Sequence, residues 1–353
     1  MADQGGINPL NGLREVVGKI WTENRSHAVT FCLLTLGYAT YSASRRSLTV
    51  AMPYLLKGQS ISGFSMTELE LGALSSAFSA AYGVSKFFGG VLSDFVSCGT
   101  LFAGGLVFAA LANMLFAFPA NSFAFALFCW GLNGAVQGVG WPALSKILLA
   151  TWSKENRGLV WSLCTAAGNA GTTLGPLVLA QVVTMTGQWE SAFQFIGAAA
   201  GALGVFCMHT LKESVVLTHQ VSELAANERE AMKGKRRGGT PGKGDAFATI
   251  VVFRWTFWFI CIADAFVYFV LKGVSDWAML LLVQRAGMDL SAAAAAAVWF
   301  DFGGILGTLG AGPLSDRLGN RNLASAIFSV VLAICLAALW NVTITANGAG
   351  GDV

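Results

Sequence analysis

Tyr38-Ala39-Thr40-Tyr41-Ser42-Ala43-Ser44-Arg45-Arg46-Ser47-Leu48-Thr49-Val50-Ala51-Met52-Pro53 decides how the chain is read. It lies inside an apolar run that begins near Ala28. A cation at the middle of a bilayer costs about 2.5–3.5 kcal/mol on insertion scales. Two adjacent arginines in such a run therefore need a wet cavity and an anion. On helical spacing Tyr38, Tyr41 and Arg45 (i, i+3, i+7) fall on one face. Two ring hydroxyls and a guanidinium fork suit the planar oxygens of a phosphate or a carboxylate.

The rest of the chain supports a membrane setting. Of 353 residues 55% are hydrophobic and 12% charged, against about 25% charged in soluble domains. Mean hydropathy is +0.61, and the 42 glycines suit closely packed transmembrane helices. The seven cysteines sit in or beside apolar runs without a CxxC pair and read as small buried hydrophobes. The three histidines, His27, His209 and His219, have no metal-ligand spacing. There is no nucleophile–base set, so neither an enzyme nor a cofactor is expected. Glycine pairs such as Gly134/Gly138 follow no strand, which removes a nucleotide-binding reading. No nucleic-acid partner is expected; the lipid bilayer is.

Nine spans are expected, near 28–56, 68–93, 100–118, 123–150, 158–185, 190–211, 249–283, 291–314 and 322–344. Residues 1–27 are polar and read as a cytosolic amino terminus, 28–211 as a six-helix bundle and 212–246 as a flexible basic linker. Residues 247–344 read as three helices of a partial second bundle, and 345–353 as a polar tail. The basic linker, Lys154 and Arg157 place one end of the bundle in the cytosol. The sequons Asn24-Arg25-Ser26 and Asn341-Val342-Thr343 fall on the cytosolic side and beside the membrane, and are discounted.

An internal repeat links the halves. Gly90-Val91-Leu92-Ser93-Asp94 ends the second span, and Gly312-Pro313-Leu314-Ser315-Asp316-Arg317-Leu318-Gly319-Asn320-Arg321 ends the eighth. Arg45 precedes Asp94 by 49 residues, and Lys272 precedes Asp316 by 44. Two cations thus hold nearly equivalent places in two half-repeats, as an anion site on a pseudo-two-fold axis requires.

The loop GPLSDRLGNR resembles the signature of the major facilitator superfamily. The Tyr38–Pro53 stretch, Ser79-Ala80-Ala81-Tyr82-Gly83-Val84-Ser85-Lys86-Phe87-Phe88-Gly89-Gly90 and Asn133-Gly134-Ala135-Val136-Gln137-Gly138-Val139-Gly140-Trp141-Pro142 resemble the organophosphate:phosphate antiporters. Within that family the chain is most similar to the eukaryotic glucose-6-phosphate exchangers. The resemblance covers about 28–344. It implies an all-α fold of twelve spans, two bundles rocking about a midplane site, an endoplasmic reticulum membrane, and exchange of a sugar phosphate for inorganic phosphate. Nine spans in place of twelve leave the second bundle incomplete. Transport of another organic phosphate such as glycerol-3-phosphate, a non-transporting phosphate-sugar sensor, or a truncated remnant are the alternatives.

The resemblance implies that Arg45 grips the phosphate; the alternative is an arginine bonded to helix carbonyls. Arg46 points about 100° away and contacts either substrate or a neighbouring helix. Lys272 stands where bacterial relatives place an arginine, and either binds phosphate, pairs with Asp276 at i+4, or does both in turn. Asp264, two turns earlier, is a second balancing acid. Lys86 lies near the phosphate or snorkels; Lys146, nearer its helix end, snorkels. Asp301 is an intramembrane acid that needs a cation on a facing helix. Asp94, Asp316 and Arg317 are gate residues by resemblance, Asp94 the weaker because its loop lacks the usual bases. Thr165, Asn169 and Thr172 share one face, and so do Asn133, Gln137 and Trp141, which offer hydrogen bonds and a ring to a sugar or pack helix on helix. The family's substrate-binding histidine in the fifth span is matched here by Gly168, which implies room for a larger ligand such as a hexose.

Overall fold

The computed structural model describes residues 25–59, 64–118, 122–152, 157–211, 255–303 and 321–349. All the regular structure among them is helical: α1 (Arg25–Ser44), α2 (Ser47–Leu56), α3 (Glu68–Leu92), α4 (Cys98–Phe116), α5 (Phe123–Gly138), α6 (Gly140–Thr151), α7 (Arg157–Thr186), α8 (Glu190–Leu211), α9 (Trp255–Arg285), α10 (Leu290–Gly303) and α11 (Arg321–Ala349). Among the described residues each expected span meets one helix or one broken pair; 249–254 of the seventh span and 304–314 of the eighth lie outside them. Cys98–Phe116, Phe123–Thr151, Glu190–Leu211 and Cys261–Arg285 are long and apolar enough to cross a bilayer on composition alone. The helix Arg25–Ser44 is diluted by threonines, tyrosines and serines, and Glu68–Leu92 by Lys86 and two glutamates.

Starts follow local chemistry. Thr67 and Glu70 form a capping box at α3: the Thr67 N–H donates to Glu70 Oε2 at 2.8 Å and the Glu70 N–H to Thr67 Oγ1 at 3.3 Å. Ser97 Oγ accepts the Thr100 N–H at 3.2 Å and caps α4. Asp289 precedes α10; its carboxylate accepts from the Ser291 hydroxyl and from the Ala292 N–H.

The first span is not the single helix its hydropathy predicts. It breaks at Arg45–Arg46, where the Arg46 N–H bonds the Ala43 carbonyl three residues back and the Ser47 hydroxyl takes the Ser44 carbonyl at 2.8 Å. The last span runs on to Ala349, beyond the predicted 344 and into the stretch expected to be a polar tail.

In the first half the helices pack closely as α1 on α7, α3 on α5 and α4 on α8. A side chain on Gly171 would place its Cβ 2.9 Å from the Ala39 Cα, so glycine is what lets α7 lie on α1. The core divides into two apolar clusters and a third at the seam between halves. In that third cluster Val50, Leu179 and Val183 meet Met279, Leu290, Ala293 and Ala294. Leu280 and Trp277 likewise join Leu48, Leu55 and Leu74. Among the described residues the halves thus meet at the end of α9 far from the basic linker. Toward the linker end, Trp258, Phe259, Phe266 and Phe269 of α9 are exposed.

Candidate functional site

The break in the first span sends its two arginines to different partners. Arg45 turns inward to the first bundle, where its Nε donates to Gln137 Oε1 at 3.0 Å. Its guanidinium carbon sits 4.6 Å from the centre of the Tyr82 ring and 5.9 Å from that of Tyr38, within cation–π range. Arg46 crosses the seam. Its Nη1 donates to Asp276 Oδ1 and to the Ser275 carbonyl, both at 3.2 Å. The Arg46 and Asp276 side chains are only 12% and 20% exposed, so the pair is poorly screened.

Arg45, Arg46, Lys272 and Asp276 line one chamber of about 80 Å³, with Ser42, Thr49, Ser75, Ser79 and Thr172 supplying hydroxyls and Trp130 and Phe78 supplying ring faces. Three positive side chains face one acid there. An adjoining cavity of about 20 Å³, room for one water, is lined by Arg46, Thr172, Ser275 and Asp301. Arg46, Thr49 and Thr172 line both cavities, and Arg46 is the cation that shares the smaller one with Asp301.

Tyr38 stays beside the site. Its ring packs on Trp141 at 4.9 Å, and Trp141 meets Trp161 edge-on at 5.3 Å. The space that Gly168 was expected to leave for a hexose is filled by this tyrosine: a Cβ on Gly168 would lie 2.6 Å from Tyr38 Cδ1. Lys86 is exposed and holds its Nζ 5.5 Å from the Tyr82 ring that also receives Arg45.

Three expected contacts with cargo are corrected. Tyr41 is 1% exposed, and its hydroxyl donates to the Phe102 carbonyl at 2.8 Å. Tyr38 and Arg45 are seven residues apart and nearly eclipsed on a helix, but Tyr41 lies about 60° off that line. That is enough to turn it into the bundle. Gln137 is 1% exposed; it holds Arg45 and reaches no sugar. Asn169 is exposed and does not line the chamber, where Thr172 does. Lys146 does not merely snorkel: from α6 its Nζ donates to Asp94 Oδ1 at 2.6 Å and to the Gly90 carbonyl at 3.2 Å. The base missing from the Asp94 loop thus comes from another helix. Lys272 shares the chamber with Asp276, but the hydrogen-bonded partner of that acid is Arg46. Asp316, Arg317 and the side chain of Asp264 lie outside the described residues.

Tyr82 was not singled out in the sequence, although it precedes Lys86 by one turn and shares its face. Asn113 was also missed. Its signal is a lone amide in the apolar run Leu111-Ala112-Asn113-Met114-Leu115. No group of three or more His, Cys, Asp or Glu side chains able to hold a metal occurs among the described residues.

Comparison with known proteins gives this geometry a family. The Major Facilitator Superfamily model matches residues 34–350. The membrane sensor protein UhpC of Salmonella typhimurium is 32% identical over 309 residues, covering 86% of this chain and 68% of its own length. A probable hexose phosphate transport protein of Chlamydia pneumoniae is 29% identical over 324 residues, covering 88% and 69%. The crystal structure of a bacterial homolog of the human lysosomal transporter Spinster, inward-facing and occupied, superimposes with a TM-score of 0.66 at 16% identity. It covers 84% of this chain, which spans 63% of that protein's length. An all-helical fold with an arginine-bearing broken first span, matched over nearly its whole length, places this membrane protein in the organophosphate:phosphate antiporter family of the major facilitator superfamily.

Proposed function

We propose that the protein exchanges a sugar phosphate for inorganic phosphate by alternating access. The observation that carries this reading is the chamber at the seam, where Arg45, Arg46 and Lys272 face the single carboxylate of Asp276. A phosphate monoester carries about −1.5 to −2 charge at pH 7 and three acceptor oxygens. It answers the excess positive charge of the chamber, and Arg45 and Lys272 come to it from opposite halves. Empty, the chamber holds like charges close together, and their repulsion opposes closure around the midplane. A dianion removes that penalty and lets the bundles swing, and inorganic phosphate does the same on the return.

Arg46–Asp276 serves as the charge-balancing contact that holds the far end shut. Lys146–Asp94 ties α6 to the end of α3 at the cytosolic face. Tyr38 and Trp141 offer ring faces beside the phosphate grip, which suits a cargo with a sugar body. A glucose-6-phosphate-like cargo and an endoplasmic reticulum location rest on the resemblance of motifs; the two relatives above are bacterial.

Counterflow of labelled phosphate against glucose-6-phosphate in proteoliposomes tests the reading. Wild-type protein is expected to exchange, and Arg45→Gln and Lys272→Gln are expected not to. Exchange at the wild-type rate by either variant would remove the proposal. The second reading, a phosphate-sugar sensor, is favoured by the similarity to a membrane sensor protein. Saturable binding without flux would establish it.

A further inference from the structure

Arg45 is held by a chain of buried amides and hydroxyls that starts on a helix with no side chain in the chamber. Asn113, in α4, is fully buried. Its Nδ2 donates to the Ala109 carbonyl at 2.7 Å and to Ser44 Oγ at 2.8 Å. The carbonyl can only accept, so the orientation of the amide is settled. Its Oδ1 faces the Ser47 hydroxyl at 3.4 Å, a long secondary contact because the one proton of that hydroxyl goes to the Ser44 carbonyl at 2.8 Å. Ser44 and Ser47 flank the break in the first span. One amide from α4 therefore touches both sides of that break.

Ser44 also meets Gln137. Gln137 Oε1 must accept, because Arg45 Nε can only donate; its Nε2 is left to donate to Asn133 Oδ1 at 2.8 Å and to Ser44 Oγ at 3.4 Å. Ser44, Ser47, Asn113, Asn133 and Gln137 are each at most 1% exposed. The Nδ2 of Asn133 is buried without a partner, but the amides of Asn113 and Gln137 are engaged at both ends, and in a medium without water such amides have few alternatives and stay where they are. Fixing Nε leaves the two terminal nitrogens of the guanidinium as the end that reaches the chamber. That end makes bidentate contact with planar oxygens.

We propose that Asn113 is a positioning residue for the anion site. By bonding Ser44 beside the break, and through Ser44 the amide of Gln137, it sets the direction of the Arg45 fork. The proposal rests on the reading of the chamber as a phosphate site. Asn113 itself is fully buried and lines neither cavity.

The test uses the full-length chain in detergent and phenylglyoxal, which labels arginine. Peptide mass spectrometry reads the labelling rate of Arg45 relative to Arg285, an exposed arginine near the far end of α9, with and without inorganic phosphate. In Asn113→Leu the Arg45:Arg285 ratio is expected to shift severalfold, and the phosphate concentration that half-protects Arg45 to rise about tenfold to a hundredfold. Ser44→Ala, a smaller change, is expected to act in the same direction. A purely structural role would lower the melting temperature and leave both readouts in place. Wild-type ratio and wild-type protection in both variants would overturn the proposal. If phosphate fails to protect Arg45 in the wild type, the transport reading falls, and the labelling ratio alone then decides whether Asn113 positions the arginine.

Discussion

Arg46 Nη1 lies 3.2 Å from Asp276 Oδ1, and this pair joins the first span to the seventh across the seam between the halves. Both side chains are largely buried and the arginine also bonds the Ser275 carbonyl, which strengthens the contact over an exposed pair. A hydrogen bond to a charged group contributes about 1.5–3 kcal/mol net. Asp276→Asn is therefore expected to move the equilibrium between the two openings toward the far-end-open state by roughly 10-fold to 100-fold. Distance measurements by spin labelling between α2 and α10 check this. A Arg46→Asp/Asp276→Arg exchange should bring the populations back.

On the proposed reading, the hold of Arg45 on phosphate depends on the fork and not only on the charge. Arg45→Lys keeps the cation and loses both the Nε contact to Gln137 and the two-pronged contact with oxygens. It is expected to retain binding of inorganic phosphate at about 10-fold to 100-fold lower affinity, whereas Arg45→Gln loses more. Titration of intrinsic tryptophan fluorescence with phosphate separates the two, since Trp130 lines the same chamber.

Gly168 is expected to be intolerant of any side chain while Tyr38 is present. A Cβ there meets the tyrosine ring 2.6 Å away, and the ring is backed by Trp141. Overpacking of this kind costs about 1–3 kcal/mol. Gly168→Ala should lower the melting temperature, and Tyr38→Ala should relieve much of that loss in the double variant. Additive losses would mean that the two positions do not touch.

The start of α10 carries a pH-dependent cap. The Ser291 hydroxyl and the Ala292 N–H hold the carboxyl of Asp289 below its usual range. The folded value is the lower one. The contribution of the cap is thus complete above the ordinary carboxylate range, and it fades as pH falls through the depressed value, below about 3.8. Asp289→Asn should remove that dependence. Hydrogen exchange at the Ala292 amide, followed from neutral to acidic pH, reads it directly.

Much of the fold was legible because oil and charge leave strong marks. The spans follow from runs of apolar residues, and Arg45 and Lys272 stand out because a cation inside such a run is costly. The Arg46–Asp276 contact was not legible: the two residues are 230 positions apart, and only packing of α2 on α9 brings them together. Face arithmetic was too coarse. It put Tyr41 with Tyr38, though an offset of about 60° within α1 carried it into the core, and it left Gln137 between a sugar and a neighbouring helix, where α5 turns it onto the arginine. Asn113 was overlooked because a single amide in an apolar span is also what ordinary helix–helix bonding looks like.

An uncharged group beside Arg45 has a consequence for selectivity. Gln137 aims the cation without cancelling it. A glutamate at that position would hold the arginine at least as firmly, but its carboxylate would already fill the role that a visiting oxyanion has to play. On the proposed reading Arg45 keeps its full charge for an incoming oxyanion because the side chain that holds it is neutral.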